Sequence, residues 1–499
     1  MEANQLDSPS ILLLLPPSRA HYVVPPLGLG YLVTSLQRGG FRHVSILDGQ
    51  KERLTRTAFE EHLRTRRPDV LGVQVFSSGF TTAKRAIQIA RAAAPDTVIV
   101  VGGPHVTATA ERVLDDLPEA DYGFCGESEP GFPLFVSRLF GDQSCQLAEI
   151  PGLIYRVNGR PVVNPRCVVE NLDQLGFPAW ECMPPNEYPD SPQGAFYRRF
   201  PIAPILTSRG CPYQCTFCGS PVNMGKHYRV RSIPHVLDEI ELLYHQFNVR
   251  EIHIIDDMFS LQRQRVLDFC SGLEQRCLDI TYTFPNGLRL DSLDREILTR
   301  MRDTGAYAFT VGIESGSPRV LKTMRKHLTP DLIREKITLI RDCGLEPSGF
   351  FILGFPGETR EDIETTIRFA NSLPIKRAHF SNYLPLPGTE SSAQLYEKGE
   401  YLPGNWDQLA YYRVPYAPRG ITKHELKGLQ RKAFLMFHMR PRILLRMLRE
   451  VRSINHVKGL FHRAVDYLFG HISQEDDFLD EHSTECVRDR GVGGTGHEG

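Results

Sequence analysis

Short apolar runs and amphipathic segments alternate in the first part of the chain. Runs of strand length occupy residues 11–15, 44–47, 70–75, 97–101 and 121–124. Between them lie segments with apolar residues at helical spacing, such as residues 27–38 and 81–94. Because buried-type strands that alternate with helices build parallel sheets, we predict a doubly wound α/β domain here. Its ligand crevice is expected at the carboxyl ends of the strands.

The same alternation returns in the second half of the chain. Strands are predicted at residues 205–208, 251–255, 281–284, 306–312, 347–353 and 377–382. Helices are predicted between them, for example at residues 236–246, 263–273, 331–343 and 360–372. Such βα units form either an open sheet or a partial barrel, and the alternation alone does not separate the two.

Three regions break this alternation. Residues 149–198 contain a predicted hairpin around Asn158-Gly159 and then a proline-rich stretch. Residues 423–463 are helical in pattern and strongly basic, and the last residues are acidic and then glycine-rich. We therefore predict a first domain, a connector, a second domain, a helical extension and a disordered tail, at residues 1–148, 149–198, 199–421, 422–473 and 474–499.

The helical extension has apolar positions at helical spacing, which require a surface to pack on. We expect that surface to be the open lateral face of a barrel. Three roles stay open for the extension: ordinary core packing beneath a solvated basic face, a cap over the substrate, or contact with an anionic membrane.

Composition narrows the class of protein. The chain has 499 residues and a formal net charge of -1. Its overall electrostatic field therefore does not favour binding of nucleic acid. Its longest apolar run, Ile11–Leu15, is far too short to span a bilayer, and the acidic start lacks the basic region of a signal peptide. These features predict a cytoplasmic protein, in which the 11 cysteines are free thiols or ligands.

Three of those cysteines, Cys211, Cys215 and Cys218, lie within one short segment after an apolar strand. A C-x3-C-x2-C loop can supply three thiolates to an iron–sulfur cluster and leave one iron open. The alternatives are a zinc site or three incidental thiols. Zinc loops usually add a second cysteine pair or histidines, and we find no second pair. The spacing therefore favours a [4Fe-4S] cluster on these cysteines.

This spacing, with Phe217 just before the last cysteine, resembles the radical S-adenosylmethionine superfamily over about residues 199–421. The resemblance implies a partial (β/α)6 barrel with the cluster in the loop after its first strand. It also implies reductive cleavage of S-adenosylmethionine to a 5'-deoxyadenosyl radical. By the same resemblance, the cofactor contacts are Phe217, Asp257, Arg289, Glu314, Ser315, Gly354 and Tyr383.

Some of these contacts have a second interpretation. Asp256 or Asp257 would also serve as the N-cap of the following helix, and Arg289 would also suit a surface position. Gly354 departs by about one residue from the general family spacing. A buried Glu314 without a ligand would be costly, which favours a functional role for it.

A five-strand α/β domain ahead of such a core resembles the cobalamin-binding subgroup, with a flavodoxin-like fold. The resemblance implies cobalamin contacts at Pro16, Ser77, Ser78, Gly102, Gly103, His105, Gly126 and Glu127. No D-x-H-x-x-G motif follows the first strand, so we expect base-off cobalamin without a histidine ligand. The alternative is a degenerate domain that binds nothing.

Together these features predict cobalamin-dependent methylation of an unactivated carbon or phosphorus centre in a small-molecule or lipid substrate. A flavodoxin- or ferredoxin-type donor would supply electrons, and a lipid substrate would bring peripheral membrane contact. An oxidative cyclase or rearrangement enzyme, like the anaerobic magnesium-protoporphyrin ester cyclases, is the alternative. A non-catalytic cobalamin or iron–sulfur sensor is another, although the chain has no recognisable helix-turn-helix or zinc module and no nucleic-acid partner is expected. A methylthiotransferase would need a further cysteine triad.

Overall fold

The computed structural model describes residues 9–18, 23–142, 144–189, 197–402, 404–411 and 413–450, with the single residues 457, 465 and 478. Two sheets organise this part of the chain. Both are built from strands that alternate with helices, as the apolar pattern predicts.

The first sheet has seven strands in the order β2-β1-β3-β4-β5-β6-β7. Its members are β1 Ile11–Leu15, β2 Val44–Asp48, β3 Val70–Gln74, β4 Val98–Gly102, β5 Tyr122–Phe124, β6 Leu153–Val157 and β7 Arg160–Val163. The helices on its two faces are α1 Leu27–Arg38, α2 Arg56–Arg66, α3 Phe80–Ala93, α4 Pro104–Ala108, α5 Val113–Asp116 and α6 Gly131–Leu139. Strands β1 to β5 are parallel, which confirms the flavodoxin-like, doubly wound domain.

Burial on both faces explains why β1 is a continuous apolar run. Leu12 and Leu14 pack into one core with α2 and α3, whereas Ile11 and Leu13 pack into a second core with α1 and α6. The hairpin expected in the connector adds β6 and β7 to the edge of this sheet in antiparallel fashion. It therefore extends the first domain.

The second sheet has six parallel strands in the order β15-β14-β13-β12-β11-β8. With a small antiparallel pair, β9 and β10, the strands are β8 Ile202–Ile205, β9 Ser208–Arg209, β10 Arg229–Val230, β11 Glu251–Ile254, β12 Thr281–Leu288, β13 Ala306–Glu314, β14 Glu346–Leu353 and β15 Ala378–Asn382. The helices are α7 Ser220–Met224, α8 Ile233–Gln246, α9 Arg263–Arg276, α10 Arg295–Asp303, α11 Pro318–Thr323, α12 Pro330–Asp342, α13 Arg360–Ser372 and α14 Glu390–Glu397. This is the predicted barrel-like βα domain.

Its first strand lies three residues earlier than predicted, because the chain leaves the sheet after Ile205. The backbone N–H of Thr207 donates to the Asp256 carboxylate at 2.6 Å instead of extending the ladder. The hydroxyls of Thr207 and Ser208 donate to the same carboxylate at 2.5 and 2.6 Å. Ser208–Arg209 then pairs with Arg229–Val230, and this small ribbon leads into the cysteine loop.

The helical extension begins with α15 Lys423–His438 and α16 Pro441–Glu450. α15 packs on β15, where Gln430 Nε2 donates to the Phe380 carbonyl at 2.8 Å and Phe437 joins the main core. The described part of the extension therefore packs on the core of the barrel domain. Phe478, in the predicted tail, is buried against Phe59 with ring centroids 5.9 Å apart. Apart from Phe478, residues 474–499 lie outside the described residues, and their disorder stays a prediction.

None of the helices in the described part of the chain combines the length and apolar character needed to cross a membrane.

Candidate active site

The three cysteines lie in the loop between β9 and α7, at the end of the barrel where the parallel strands finish. Gly210 starts this loop at a φ of +85°, and a Cβ there would lie 2.1 Å from the His227 carbonyl oxygen. Only glycine fits this position. Cys211 donates its N–H to the Gly225 carbonyl at 3.2 Å, so the loop closes on the residue that follows α7.

The thiols form a partly buried group. Burial raises the pKa of Cys211, and it raises the pKa of Cys218 to about 12. The nearby Asp257 carboxylate raises both pKa values further, and the charges of Cys211 and Cys215 act on Cys218. Without a cation the thiols of Cys211 and Cys218 are therefore neutral, whereas bound iron favours the thiolates that ligate it.

No group of three thiol, imidazole or carboxylate side chains in the described residues is arranged to hold a single metal ion. A cubic cluster is less demanding, because each of its thiolates binds a different iron. The spacing, the shared loop and the proximity of the three thiols fit such a cluster.

Glu314 ends β13 with an unusual backbone conformation, a φ of +65°. Its carboxylate accepts a hydrogen bond from Lys326 Nζ at 2.8 Å, and both side chains are largely buried. Burial lowers the pKa of Lys326, but the charges of Glu314 and Cys215 outweigh this effect and the pKa is raised. Lys326 was not among the predicted residues. Its only sequence signal is a cation shortly after the Gly-Ile-Glu-Ser-Gly segment.

Arg289 is buried beside the cysteine loop, and its guanidinium group has three partners. Its guanidinium lies 3.6 Å from the ring centroid of Tyr213, and Nη2 donates to the Lys326 carbonyl at 2.8 Å. Nε also donates to Asp291. Arg289 is therefore not a simple surface residue, and its predicted contact with the cofactor stays a prediction.

Phe217, in the cysteine loop, belongs to a cluster of aromatic side chains. Phe217 lies edge-on to Phe355, which in turn lies edge-on to the buried Tyr383, with centroids 6.5 and 5.3 Å apart. The Tyr383 hydroxyl is 2.7 Å from the Ser391 hydroxyl. Phe355 and Tyr383 are buried, and such a cluster can keep water away from the cysteine loop.

Two further predicted residues are tied to their neighbours. Gly354 donates its N–H to the buried Glu358 carboxylate at 2.6 Å, and burial raises the pKa of Glu358 to about 8. Ser315 is buried with its hydroxyl 2.9 Å from the Thr366 hydroxyl of α13. The N-cap of α9 is Gln262, so neither Asp256 nor Asp257 caps that helix.

The candidate cobalamin residues follow β1, β3, β4 and β5, so they share the carboxyl edge of the first sheet: Pro16, Ser77, Ser78, Gly102, Gly103, His105, Gly126 and Glu127. No atom lies within 4 Å of a Cβ placed on Gly79, and the nearest to one on Gly102 is 4.0 Å away. The backbone is therefore open at Gly79 and Gly102, whereas a Cβ on Gly126 would lie 3.2 Å from Arg166 Cδ.

His105 lies at this edge but is fully buried. Its Nδ1 is 2.9 Å from the Ser77 hydroxyl, and its ring is flanked by Phe80 and Trp406. Nε2 makes no hydrogen bond within the described residues. Burial lowers the pKa of His105 to about 4, so the imidazole is neutral.

Glu127 reaches across to the barrel domain. Its Oε2 atom accepts hydrogen bonds from Arg229 Nη1 at 2.9 Å and from the Val169 N–H at 2.8 Å, and Arg229 Nη2 lies 2.8 Å from Oε1. Its predicted contact with cobalamin stays a prediction, because these partners already satisfy much of the carboxylate.

Arg166 connects the carboxyl edge of the first sheet to α7 of the barrel domain. Its guanidinium donates to the Thr107 carbonyl, after β4, at 2.6 Å and to the Val222 carbonyl, in α7, at 2.9 Å. The helix that follows the last cluster cysteine is thus attached to the candidate cobalamin edge. Arg166 therefore connects the segments that carry the two predicted cofactor sites.

Comparison with known proteins agrees with this arrangement. The B12 binding domain family matches residues 18–136, and the Radical SAM superfamily matches residues 205–370. An uncharacterized methyltransferase of Pyrococcus horikoshii is 33% identical over 444 residues, which cover 87% of this chain and 94% of that protein. The anaerobic magnesium-protoporphyrin IX monomethyl ester cyclase of Rubrivivax gelatinosus is 28% identical over 383 residues, 75% of this chain and 67% of that protein.

A solved structure shares the fold of both domains. It is the cobalamin-dependent S-adenosylmethionine radical enzyme OxsB with aqua-cobalamin and S-adenosylmethionine bound. The TM-score is 0.73 at 18% identity, over 93% of this chain and 72% of that chain. The predicted cofactors, a [4Fe-4S] cluster, S-adenosylmethionine and cobalamin, are confirmed at the level of the family. The chain belongs to the radical S-adenosylmethionine enzymes that carry a B12-binding domain.

Proposed function

We propose that this enzyme methylates an unactivated carbon or phosphorus centre of a small-molecule or lipid substrate. The observation that supports this most is the attachment of the cobalamin edge to the cluster loop through Arg166. Methylation needs a methyl carrier and a radical source on either side of one substrate atom, and the domain arrangement offers that geometry. The bound cofactors supply the radical and the methyl group.

The side chains of this enzyme bind the cofactors and shield the reacting atoms from water. The cysteine loop holds the cluster, and Glu314 accepts hydrogen bonds from the ammonium group of S-adenosylmethionine. Phe217, Phe355 and Tyr383 cover the adenosyl group and keep water away from the reacting atoms.

Oxidative cyclisation or rearrangement is the second candidate. The 28% identity to the magnesium-protoporphyrin ester cyclase favours it, because the matched residues cover 75% of this chain. The two reactions differ in their products. Methyl transfer consumes S-adenosylmethionine as a methyl donor and releases S-adenosylhomocysteine, whereas cyclisation does not.

The test is anaerobic turnover of the cluster- and cobalamin-loaded enzyme with candidate substrates and methyl-deuterated S-adenosylmethionine. We expect a product that has gained a labelled methyl group, together with S-adenosylhomocysteine and 5'-deoxyadenosine. The Cys215→Ala variant is the control for cluster-dependent turnover. A product without label, formed with 5'-deoxyadenosine alone, would favour the cyclase.

We further propose that a flavodoxin- or ferredoxin-type protein of the cytoplasm reduces the cluster. A lipid substrate would bring the enzyme to a membrane surface through the corner between α15 and α16. Four large apolar side chains are exposed there beside Arg442 and Arg446, namely Leu435, Met436, Met439 and Leu445. Pelleting with anionic but not with neutral vesicles supports this contact, and its absence with both contradicts it.

A further inference from the structure

The two strands that close the cysteine loop place two arginines side by side. β9 and β10 are antiparallel, and Arg209 lies directly opposite Arg229 in their register. The loop between them, residues 210–228, carries all three cysteines and α7. Like charges that lie directly opposite each other in an antiparallel pair destabilise it. The base of the cysteine loop therefore depends on groups that neutralise the two guanidinium groups.

Carboxylates of the other domain neutralise both arginines. Arg209 Nη2 donates to Glu129 Oε1 at 2.6 Å, and Arg209 Nη1 lies 3.5 Å from Glu127 Oε1. Arg229 Nη2 lies 2.8 Å from the same Glu127 oxygen, so one carboxylate contacts both arginines. The four side chains are at most 9% exposed, and ions in the solvent therefore screen these charges very little.

The two glutamates lie in a firmly held loop of the first domain, directly after β5. The Gly126 N–H donates to the Thr107 hydroxyl at 3.0 Å, and the Ser35 hydroxyl of α1 donates to the Glu129 carbonyl. The first domain thus presents both carboxylates to the ribbon of β9 and β10 in a fixed position.

The two arginines are also connected to the cysteine loop itself. Arg229 Nη2 donates to the carbonyl of Met224, the last residue of α7, at 2.9 Å. Arg209 directly precedes Gly210, where a Cβ would lie 2.1 Å from the His227 carbonyl oxygen. Because the loop is packed so closely at its base, a displacement of either arginine would also displace the segment that carries the cysteines.

We propose that Glu127 and Glu129 position the cysteine loop for the iron–sulfur cluster, so that retention of the cluster depends on the docked cobalamin-binding domain. When the domains are docked, the carboxylates neutralise Arg209 and Arg229, and the ribbon keeps the loop closed. When a carboxylate is lost, the arginines repel each other, the loop opens and the cluster is exposed to loss. The inference concerns assembly of the site and is independent of whether the enzyme methylates or cyclises its substrate.

The test measures how fast cluster-loaded, full-length protein loses its iron to the chelator bathophenanthroline disulfonate under anaerobic conditions. Glu129→Gln keeps the size of the side chain and removes its charge. We expect this variant to lose its cluster about ten- to hundredfold faster than the wild type, the usual effect of losing a charged hydrogen-bond partner. An unchanged rate of iron loss would overturn the proposal.

Glu251→Gln is the matched control for a general loss of stability. Glu251 is a fully buried carboxylate at the start of β11, at the opposite end of the strands from the cysteine loop, and it accepts a hydrogen bond from the Tyr307 hydroxyl at 2.7 Å. Its replacement should lower the melting temperature and leave the rate of iron loss unchanged. Equal acceleration in Glu251→Gln and Glu129→Gln would show an effect of general stability and would contradict the proposal.

A double variant tests whether Glu129 acts by neutralising Arg209. Removing both partners of a buried pair is often nearly neutral, whereas removing one leaves an uncompensated charge. We therefore expect Glu129→Gln with Arg209→Met to retain its cluster almost as long as the wild type, even where Glu129→Gln alone does not fold or load a cluster. A folded double variant that loses its cluster as fast as Glu129→Gln, or that does not load one, would show that charge neutralisation is not the role of Glu129.

Discussion

Arg229 and Glu127 form an ion pair between the barrel domain and the cobalamin-binding domain, with Nη2 2.8 Å from Oε1 and both side chains almost fully buried. Burial alone would raise the pKa of Glu127, but the hydrogen bond from Arg229 and the charge of Arg209 lower it below its usual value. The carboxylate is therefore ionised, and the domain boundary depends on its partners.

Replacing Arg229 with Met should destabilise the protein strongly, because it leaves Glu127 charged and short of a partner. We expect a loss of about 3–5 kcal/mol in the free energy of unfolding, measured by urea denaturation. The control is Arg300→Gln, which breaks an exposed pair with Glu274 and should cost about 1 kcal/mol or less. Similar losses in the two variants would show that the domain boundary does not depend on this pair.

Glu358 should make stability depend on pH. Burial raises its pKa to about 8 in the folded protein, above the value of about 4.3 expected for an unfolded chain. The protonated form thus stabilises the fold below the lower pKa, and this contribution is lost as the pH rises through about 8. In Glu358→Gln, the fall in melting temperature between about pH 5, near the lower end of this range, and about pH 9, above its upper end, should be smaller than in the wild type. An identical fall in the melting temperature of both proteins would contradict the raised pKa of Glu358.

The purified protein should bind hydroxocobalamin in a base-off form, because His105 is engaged by Ser77 and covered by Trp406. His105→Ala should leave the absorption spectrum of the bound corrin unchanged, with the exposed His424→Ala as control. Failure to retain corrin after gel filtration would favour a degenerate domain. A spectrum that changes only in His105→Ala would identify His105 as a ligand.

The sequence predicts the fold well because both sheets are made of strands with an unmistakable apolar pattern. β1 is buried on both faces, so it appears as an unbroken run and not as an alternation. The first barrel strand was displaced because its end is set by the Asp256 carboxylate, which lies far along the chain. A hydrogen-bond partner so far along the chain leaves no signal in the sequence around the strand.

In the candidate site, too, residues that are close in sequence were predictable and contacts between distant segments were not. The cysteine triad is recognisable because all three ligands lie in one loop, whereas Lys326 becomes part of the site only through its contact with Glu314. The contact of Glu127 with Arg229 was not predicted, because the sequence does not show which domain a loop carboxylate faces. Local motifs were predictable, and contacts between distant segments were not.

The most direct test of the account is the iron content and low-temperature EPR spectrum of anaerobically reconstituted Cys211→Ala, Cys215→Ala and Cys218→Ala. Two thiolates do not hold a cubic cluster against loss, so each variant should lack the wild-type iron content and the signal of the reduced cluster. Cys277→Ala, which changes an exposed cysteine outside the loop, should retain both. A normal cluster in all three loop variants would contradict the assignment on which the proposed reaction depends.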